Sequence, residues 1–205
     1  MIVRGCWWSE ASCGGARCSV AVGVEVLAEL GNVGESRGSE LWCFGVVGDA
    51  TYTISRTGVE KMSHLHFFFQ DIVSGKRPTA VQIASPNHRY GSNFGDMFMA
   101  DDPLTVRADR RSKIIGRAQG VYGFASQENV ALLMAINYVF TKGKYNGSSI
   151  TIIGRNPPMQ KVREMPIVGG TGLFRFARGY ALAHTVWSNP QGDASVEYHV
   201  YVHHY

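Results

Sequence analysis

The sequence predicts an all-β domain, an antiparallel barrel or sandwich, from Lys61 to Tyr205. Short runs of aromatic and β-branched residues alternate there with turns rich in Gly, Pro and Asn, and no segment has the pattern of a βαβ unit. All four cysteines precede residue 44. We therefore expect the domain to be held by packing and hydrogen bonds, without disulfides.

Eight strands are predicted, and a cluster of turn residues separates each from the next. The run from residue 129 to 141 also favours a helix, but its Asn-Tyr-Val-Phe-Thr ending and its place between strands favour a strand. Asp101-Asp102-Pro103 is predicted to end the third strand, and a proline-containing loop to follow the sixth. The predicted strands are His64–Val73, Thr79–Ala84, Phe94–Ala100, Lys113–Ala125, Asn129–Thr141, Ser148–Gly154, Gly172–Trp187 and Val196–Val202.

Several of these strands carry apolar residues on both faces, for example Leu65–Phe69 and Ile150–Ile153. In a barrel one face fills the interior and the other needs a cover. A second copy of the chain would provide that cover, so we expect a homo-oligomer.

Residues 1–58 have no periodic pattern long enough to bury a face, and only Ser19–Leu30 is suited to a short helix. They also lack the basic segment followed by an apolar segment that defines a signal peptide. We expect a poorly structured leader over residues 1–58, followed by the barrel domain over residues 61–205. The alternative is that residues 1–58 are not the native N-terminus.

Composition narrows the function classes. Residues 1–58 hold four Lys/Arg against six Asp/Glu, and the rest of the chain holds sixteen against ten. This excess of basic residues suits an anionic environment. Nucleic-acid binding is not predicted, because the basic residues form no cluster with interleaved aromatics. No apolar stretch approaches the roughly 20 residues of a membrane helix. The sequence contains no hydrolase elbow, and neither the cysteines nor the histidines have zinc-site spacing, so we expect no metal and no cofactor.

Asp71 is the strongest candidate for chemistry. Leu65, Phe67 and Phe69 share its face of the first strand, so the carboxyl would end an aromatic stripe. One interpretation is an acid whose pKa is raised in an apolar pocket. The alternative is a solvated carboxylate that caps the Ser74-Gly75 turn.

Three further features have two interpretations each. Arg163 would bind a phenolate or a carboxylate, or would pair in solvent with Glu164. Tyr122 and Phe124 share a strand face and would stack on an aromatic ligand, or would be ordinary core. The glycine-rich segment 169–172 lacks the Lys-Ser/Thr of a phosphate loop, so a barrel corner is the better interpretation. Histidines 64 and 66 would meet His199 and His203 across strands.

Five separated motifs resemble the plant dirigent family, in the right order and from Lys61 to the C-terminus. The motifs are LHFFFQDIVSG (Leu65–Gly75), MADDPLT (Met99–Thr105), GRAQGVY (Gly116–Tyr122), VREMPIVGGTGLFRFARGYA (Val162–Ala181) and VEYHVYV (Val196–Val202). The resemblance implies an eight-stranded antiparallel β-barrel that forms a homotrimer or a homodimer. It also implies secretion to the apoplast and N-glycosylation, for which Asn146-Gly147-Ser148 is a sequon.

The resemblance implies an unusual activity. An external laccase or peroxidase makes phenoxy radicals, and the barrel steers their coupling to one stereochemistry, with coniferyl alcohol and lignan products as the family default. An alternative is a quinone-methide cyclising enzyme of the pterocarpan-synthase type. A further alternative is a non-catalytic wall or defence protein that binds phenolics.

The resemblance also assigns site residues. Asp71 matches the family's acid, Tyr122 a pocket tyrosine and Arg163 the pocket arginine, which are the expected catalytic residues. Phe124, Asn156 and Leu182 stand where lignan-forming members have a second tyrosine, a second aspartate and a threonine. These three, with Phe67 and Phe69, are the expected substrate-binding residues. An asparagine cannot deliver a proton as a carboxylic acid does. The segments GRNP (Gly154–Pro157) and VREMP (Val162–Pro166) resemble the defence-associated branch of the family more closely than the lignan-forming branch.

Overall fold

The computed structural model describes residues 58–86 and 93–205 with their side chains, and the backbone of four short strands before them. The chain divides into two compact units, Met1–Thr57 and Gly58–Tyr205. Each unit has its own antiparallel sheets. The first contains two hairpins, made by β1 (Trp7–Cys13) with β2 (Ala16–Val22) and by β3 (Cys43–Val47) with β4 (Ala50–Ile54).

The helix predicted for Ser19–Leu30 is wrong as far as Val22, because residues 19–22 belong to strand β2. The valines at positions 20 and 22 explain this difference, since β-branched side chains favour extended backbone. The remainder of that segment lies outside the described residues. The interpretation of residues 1–58 as a leader stays a prediction.

The second unit is a closed antiparallel barrel. Its strands are β5 (Lys61–Asp71), β6 (Ala80–Ala84), β7 (Met97–Thr105), β8 (Ile114–Phe124), β9 (Leu132–Phe140), β10 (Ser149–Asn156), β11 (Arg163–Thr171), β12 (Arg178–Ser188) and β13 (Ala194–His204), with short 3-10 turns at Gly143–Tyr145 and Gly172–Phe174. The sheet order is β5-β13-β12-β11-β10-β9-β8-β7-β6. Pairing of Phe68 with Thr105 and of Phe69 with Leu104 joins β5 to β7 and closes the barrel. In this described part of the chain, eight strands form the barrel, and β6 adds to one edge of β7.

Two strand predictions are wrong, and both errors involve a proline. Strand β7 continues through Pro103, which lies between the part of β7 that pairs with β6 and the part that pairs with β5. Strand β11 was predicted as a loop, but Pro166 lies beyond the part of β11 that pairs with β10. At each of the two prolines the pairing with one neighbouring strand is interrupted. The backbone N–H that a proline lacks is therefore lost at little cost in stability. The prediction of eight strands agrees with the eight strands of the barrel only because it includes β6, which lies outside the barrel, and omits β11.

Residues 132–140 form a strand, as predicted, because burial alternates with period two along β9. Of the glycine-rich segment, residues 169–171 end strand β11, and the predicted corner is found only at Gly172, which has a φ of 62° and begins the 3-10 turn that leads into β12. Strand β12 consequently begins at Arg178 and not at Gly172. A close approach of neighbouring strands explains Gly120, where an added Cβ would lie 2.1 Å from the carbonyl oxygen of Ala135.

The interior of the barrel is an aromatic and aliphatic core. Phe67 stacks on Tyr198 across β5 and β13, with ring centroids 5.6 Å apart and planes at 9°. Tyr138 of β9 lies 5.7 Å from the Phe67 ring and 5.4 Å from the Tyr198 ring. Small residues on the facing strands make room for this layer; Ala118, Ala181 and Ala183 are fully buried. The three rings fill the middle of the barrel and leave one end for polar side chains.

The outer face carries apolar side chains on three adjacent strands. Leu133 of β9, Ile153 of β10 and Val168 of β11 are each 43–55% exposed. This agrees with apolar residues on both faces, and the homo-oligomer that we expected from it stays a prediction. Within the described residues, no helix is long and apolar enough to cross a bilayer.

Candidate functional site

Asp71 ends the inward-facing stripe of β5, as the sequence predicts. It follows Phe67 and Phe69 on that face, and these two rings are 1% and 3% exposed. The Tyr122 hydroxyl of β8 donates a hydrogen bond to the Asp71 Oδ1, at 3.2 Å. Burial raises the pKa of the Asp71 carboxyl from 3.8 to about 6, and the bond from Tyr122 only partly opposes this effect. Asp71 is therefore an acid in an apolar setting.

The alternative interpretation, in which Asp71 caps the Ser74-Gly75 turn, is wrong because a different carboxylate does this. Asp193 accepts hydrogen bonds from the backbone N–H groups of Val73 and Ser74, both at 3.0 Å, and from the Ser74 hydroxyl. Arg110 approaches the same carboxylate at 3.4 Å. The turn after β5 is thus satisfied without Asp71, whose carboxyl is free to face the interior.

Asp102 is a second buried acid, which the sequence analysis missed. It is fully buried on β7 between the inward-facing Ala100 and Leu104. The Thr79 hydroxyl donates to its Oδ1, while its Oδ2 is buried without a hydrogen-bond partner among the described residues. Burial first, and the negative charge of Asp71 second, raise the pKa of the Asp102 carboxyl to about 8. A protonated Asp102 is therefore the ordinary state near neutral pH.

The sequence contained a clue to Asp102. Asp101-Asp102-Pro103 was interpreted as a turn because these three residues are typical of turns. The alternation of Phe98, Ala100, Asp102 and Leu104, however, places Asp102 on the apolar face of a strand. Its neighbour Asp101 lies on the opposite, exposed face, where it pairs with Arg117 at 2.9 Å.

Tyr122 and Phe98 form an aromatic wall beside the two acids. Their rings are stacked, with centroids 5.2 Å apart and planes at 11°. The half-buried Phe124 lies 6.5 Å from Phe98, nearer the end of strand β8. Burial and the charge of Asp71 raise the pKa of the Tyr122 phenol far above its usual value, so Tyr122 stays neutral and acts as a hydrogen-bond donor.

Arg163 is buried at the start of β11, with only 2% of its surface exposed. Its Nε donates to the Asn156 Oδ1 at 3.0 Å, and its Nη1 has no hydrogen-bond partner among the described residues. The predicted alternative, a solvated pair with Glu164, is wrong because Glu164 is exposed on the other face of the strand. Burial lowers the pKa of Arg163, but a guanidinium stays charged in proteins. A cation with a free donor thus faces the interior.

The predicted site residues lie inside the barrel as two hydrogen-bonded pairs. Tyr122 is bonded to Asp71, and Arg163 is bonded to Asn156. The sheet register sets Ala183 opposite both Arg163 and Tyr198, so Arg163 lies level with the central aromatic layer.

The other predicted residues have different surroundings. Leu182 does not face the interior: its neighbours Ala181 and Ala183 on β12 are fully buried, so alternation places Leu182 on the outer face opposite Glu164. Phe67 and Phe69 belong to the packed core below the acids. The predicted glycosylation site, Asn146, is exposed at the end of the 3-10 turn between β9 and β10.

Comparison with known proteins identifies relatives of this chain. Residues 62–203 match the family of dirigent-like proteins. Dirigent protein 21 of Arabidopsis thaliana is 53% identical over 148 residues, which are 71% of this chain and 78% of that protein. Pterocarpan synthase 1 of Glycine max is 51% identical over 150 residues, which are 71% of this chain and 81% of that protein.

A solved structure shows the same relationship. The pterocarpan synthase dirigent protein GePTS1 matches with a TM-score of 0.69 and 47% identity, over 73% of this chain and 88% of that one. The barrel predicted from the strand pattern is the fold of that protein as well. With its five ordered motifs, its closed eight-stranded barrel and these relatives, the chain belongs to the dirigent family.

Proposed function

We propose that this protein closes a ring on a phenolic quinone methide, in a reaction of the pterocarpan-synthase type. The proposal rests on two acids inside the barrel, the half-buried Asp71, which is bonded to Tyr122, and the fully buried Asp102. Burial raises their pKa values to about 6 for Asp71 and about 8 for Asp102. Two carboxyls whose surroundings separate their pKa values are suited to act as a base and an acid at the same pH. Between about pH 6 and pH 8 the pair holds one proton.

The proton inventory of such a reaction fits the pair. Asp102, as the neutral acid, donates its proton to a benzylic hydroxyl, which leaves as water with the electrons of its C–O bond. The Asp71 carboxylate takes the proton of the phenol, and a quinone methide results. An internal hydroxyl then adds to the methide carbon and returns its proton to Asp102, while Asp71 reprotonates the carbonyl oxygen. The net change is the loss of one water, and both carboxyls are restored.

Arg163 has a separate role in this proposal. Its free Nη1 is suited to donate to a phenolate or to the carbonyl oxygen of the quinone methide, where negative charge develops. Because its Nε is held by Asn156, the guanidinium is oriented before a ligand binds. The asparagine keeps the arginine free of a counter-charge that would compete with the ligand.

The relatives support cyclisation over the lignan default. Pterocarpan synthases of Glycine max and Glycyrrhiza echinata are 51% and 48% identical to this chain. Two pterocarpan synthase dirigent proteins, GePTS1 and PsPTS1, share its fold at 47% and 48% identity. Asparagine at position 156, where the resemblance expects an aspartate in lignan-forming members, agrees with this choice.

The test is turnover of a 2′-hydroxylated isoflavanol with no oxidant present, followed by chiral chromatography. We expect ring closure by the wild-type protein, and a rate about 10²–10⁴-fold lower for Asp71→Asn and for Asp102→Asn. Asp101→Asn is the matched control, because it removes the neighbouring carboxylate from the outer face of the same strand. Equal rates for Asp102→Asn and Asp101→Asn would contradict the acid role of Asp102.

A second candidate is stereoselective coupling of phenoxy radicals made by an external laccase or peroxidase, and the stacked Phe98–Tyr122 wall favours it as a platform for an aromatic ligand. With coniferyl alcohol and a one-electron oxidant, this function gives a coupled product with an enantiomeric excess. A racemic product excludes coniferyl alcohol as the substrate. If the protein is inactive in both assays and Asp71→Asn binds a phenol with unchanged affinity, the function is that of a non-catalytic binding protein.

The same proposal extends to assembly and location. We propose a homotrimer or homodimer that covers the outer apolar face, secreted to the apoplast and glycosylated at the exposed Asn146. Light scattering of the purified protein gives the number of subunits. Removal of N-glycans from plant-expressed protein should lower its mass, and the Asn146→Gln variant should show no such change.

A further inference from the structure

A group of histidines surrounds one carboxylate on the outer face of the barrel, away from the acids inside. The sheet register sets Glu197 of β13 directly opposite His184 of β12, and His199 of β13 directly opposite His66 of β5. Residues 197 and 199 are two apart and share a face. Three adjacent strands therefore place three histidines around the carboxylate of Glu197.

The distances within this group are short. His66 Nε2 lies 2.8 Å from Glu197 Oε1, and His199 Nε2 lies 3.7 Å from the same oxygen. His184 Nδ1 lies 3.8 Å from the second oxygen, Glu197 Oε2. One ligand atom each of His66, Glu197 and His199 lie within 4.8 Å of one another. Ligands of a tetrahedral zinc ion at its usual bond lengths stand about 3.3 Å apart, so small rotations suffice to bind one.

The orientation of His199 also fits a metal. His199 Nδ1 and His64 Nε2 are 3.1 Å apart, in hydrogen-bond contact. When the Nδ1–H of His199 donates to His64, its Nε2 carries a lone pair that faces Glu197. A ligating histidine is usually oriented by such a bond from its other nitrogen.

We propose that His66, His184, Glu197 and His199 form a binding site for a divalent metal ion that prefers imidazole, such as Zn²⁺. All four side chains are 25–44% exposed, so an ion can enter from solvent. The site lies on the outside of the barrel, on the face of β5 and β13 opposite to the stacked Phe67 and Tyr198. Its role is structural: the ion joins β5, β13 and β12. No metal was predicted here from the sequence, because the four ligands come from three strands and have no local spacing.

Titration of the untagged full chain with Zn²⁺ by calorimetry, together with thermal unfolding, tests the proposal. At a hundredfold excess of zinc over its Kd we expect the Tm to rise by about 5 °C or more. His66→Asn and His199→Asn should each weaken zinc binding at least about tenfold, and His64→Asn should weaken it by a factor of about 10–100 through His199. Cysteines 6, 13, 18 and 43 are present in every variant, so differences between variants report on the histidines.

His203→Asn is the matched control. His203 lies on the same strand and the same face, but it approaches a different carboxylate, Glu60, at 4.0 Å. The His203→Asn variant should bind zinc as the wild type does. Near-UV circular dichroism without zinc checks the fold of every variant. Wild-type affinity in both His66→Asn and His199→Asn would overturn the proposal, as would an equal loss in His203→Asn.

Discussion

Replacing Asp71 with asparagine tests the environment of the acid without any substrate. Burial raises the pKa of the Asp71 carboxyl from 3.8 to about 6. One pKa unit corresponds to 1.36 kcal/mol, so the ionised carboxylate costs the folded state about 3 kcal/mol. Below pH 3.8 both states hold the proton and there is no cost. As the pH rises to about 6 the unfolded chain releases its proton first, and the free energy of unfolding falls.

The measurement is urea unfolding of the wild type and of Asp71→Asn at several pH values between about 4 and 7. The difference in free energy of unfolding between the two proteins should change by about 3 kcal/mol in favour of the variant over this range. Removing the Asp71 charge also lowers the pKa of Asp102, which adds to the change in the same direction up to about pH 8, where Asp102 of the wild type ionises. Carboxylates elsewhere contribute equally to both proteins and cancel.

Asp101→Asn is again the control. Its pKa is lowered by a hydrogen bond from Arg117, so its loss should change stability in the opposite direction, and only slightly because the side chain is 57% exposed. If the wild type and Asp71→Asn keep a constant difference from about pH 4 to pH 7, Asp71 is solvated and the argument for a buried acid fails.

Three further changes test other parts of the structure, each by urea unfolding. Asn156→Asp gives Arg163 a charged acceptor in place of a neutral one and should stabilise the protein by about 1 kcal/mol at neutral pH. This effect should disappear as the new carboxyl is protonated below about pH 4. A loss of stability at neutral pH would show that desolvation of the new carboxylate dominates. Ile152→Ala removes a fully buried side chain and should cost about 2–5 kcal/mol, whereas a cost below about 1 kcal/mol would place Ile152 outside the core. Gly120→Ala puts a Cβ 2.1 Å from the carbonyl oxygen of Ala135 and should lower the free energy of unfolding by more than about 2 kcal/mol, since backbone on both strands must move. Near-wild-type stability would refute the close approach of the two strands.

Most of the strand pattern could be predicted because it depends on local chemistry. Alternating burial and turn residues located β5, β8, β9, β10 and β13 to within a few residues. The errors at Pro103 and Pro166 have a common physical cause. Whether a proline interrupts a strand depends on what its missing N–H would have contacted, and that neighbour comes from elsewhere in the chain. A local pattern contains no information about it.

The residues of the candidate site also divide into those that the local sequence predicts and those that depend on distant parts of the chain. Asp71 was found because its own stripe of Leu65, Phe67 and Phe69 is apolar, while Asp102 was missed because its neighbours in sequence are typical of a turn. Leu182 was assigned to the pocket by alignment, although a single step along a strand reverses the face. The histidine group on the outer face depends on the register of three strands, which no spacing within one strand expresses.

The sequence by itself determined the family, the antiparallel barrel and four of the residues that lie inside it, because ordered motifs and period-two patterns are properties of the chain alone. The tertiary structure decided the rest. It placed Asp102 beside Asp71, gave the Ser74 turn to Asp193 and, among the described residues, left Arg163 without a carboxylate. The pKa values of the two acids arise from burial, and that of Asp102 also from the charge of Asp71. Both effects depend on which strands become neighbours when the barrel closes.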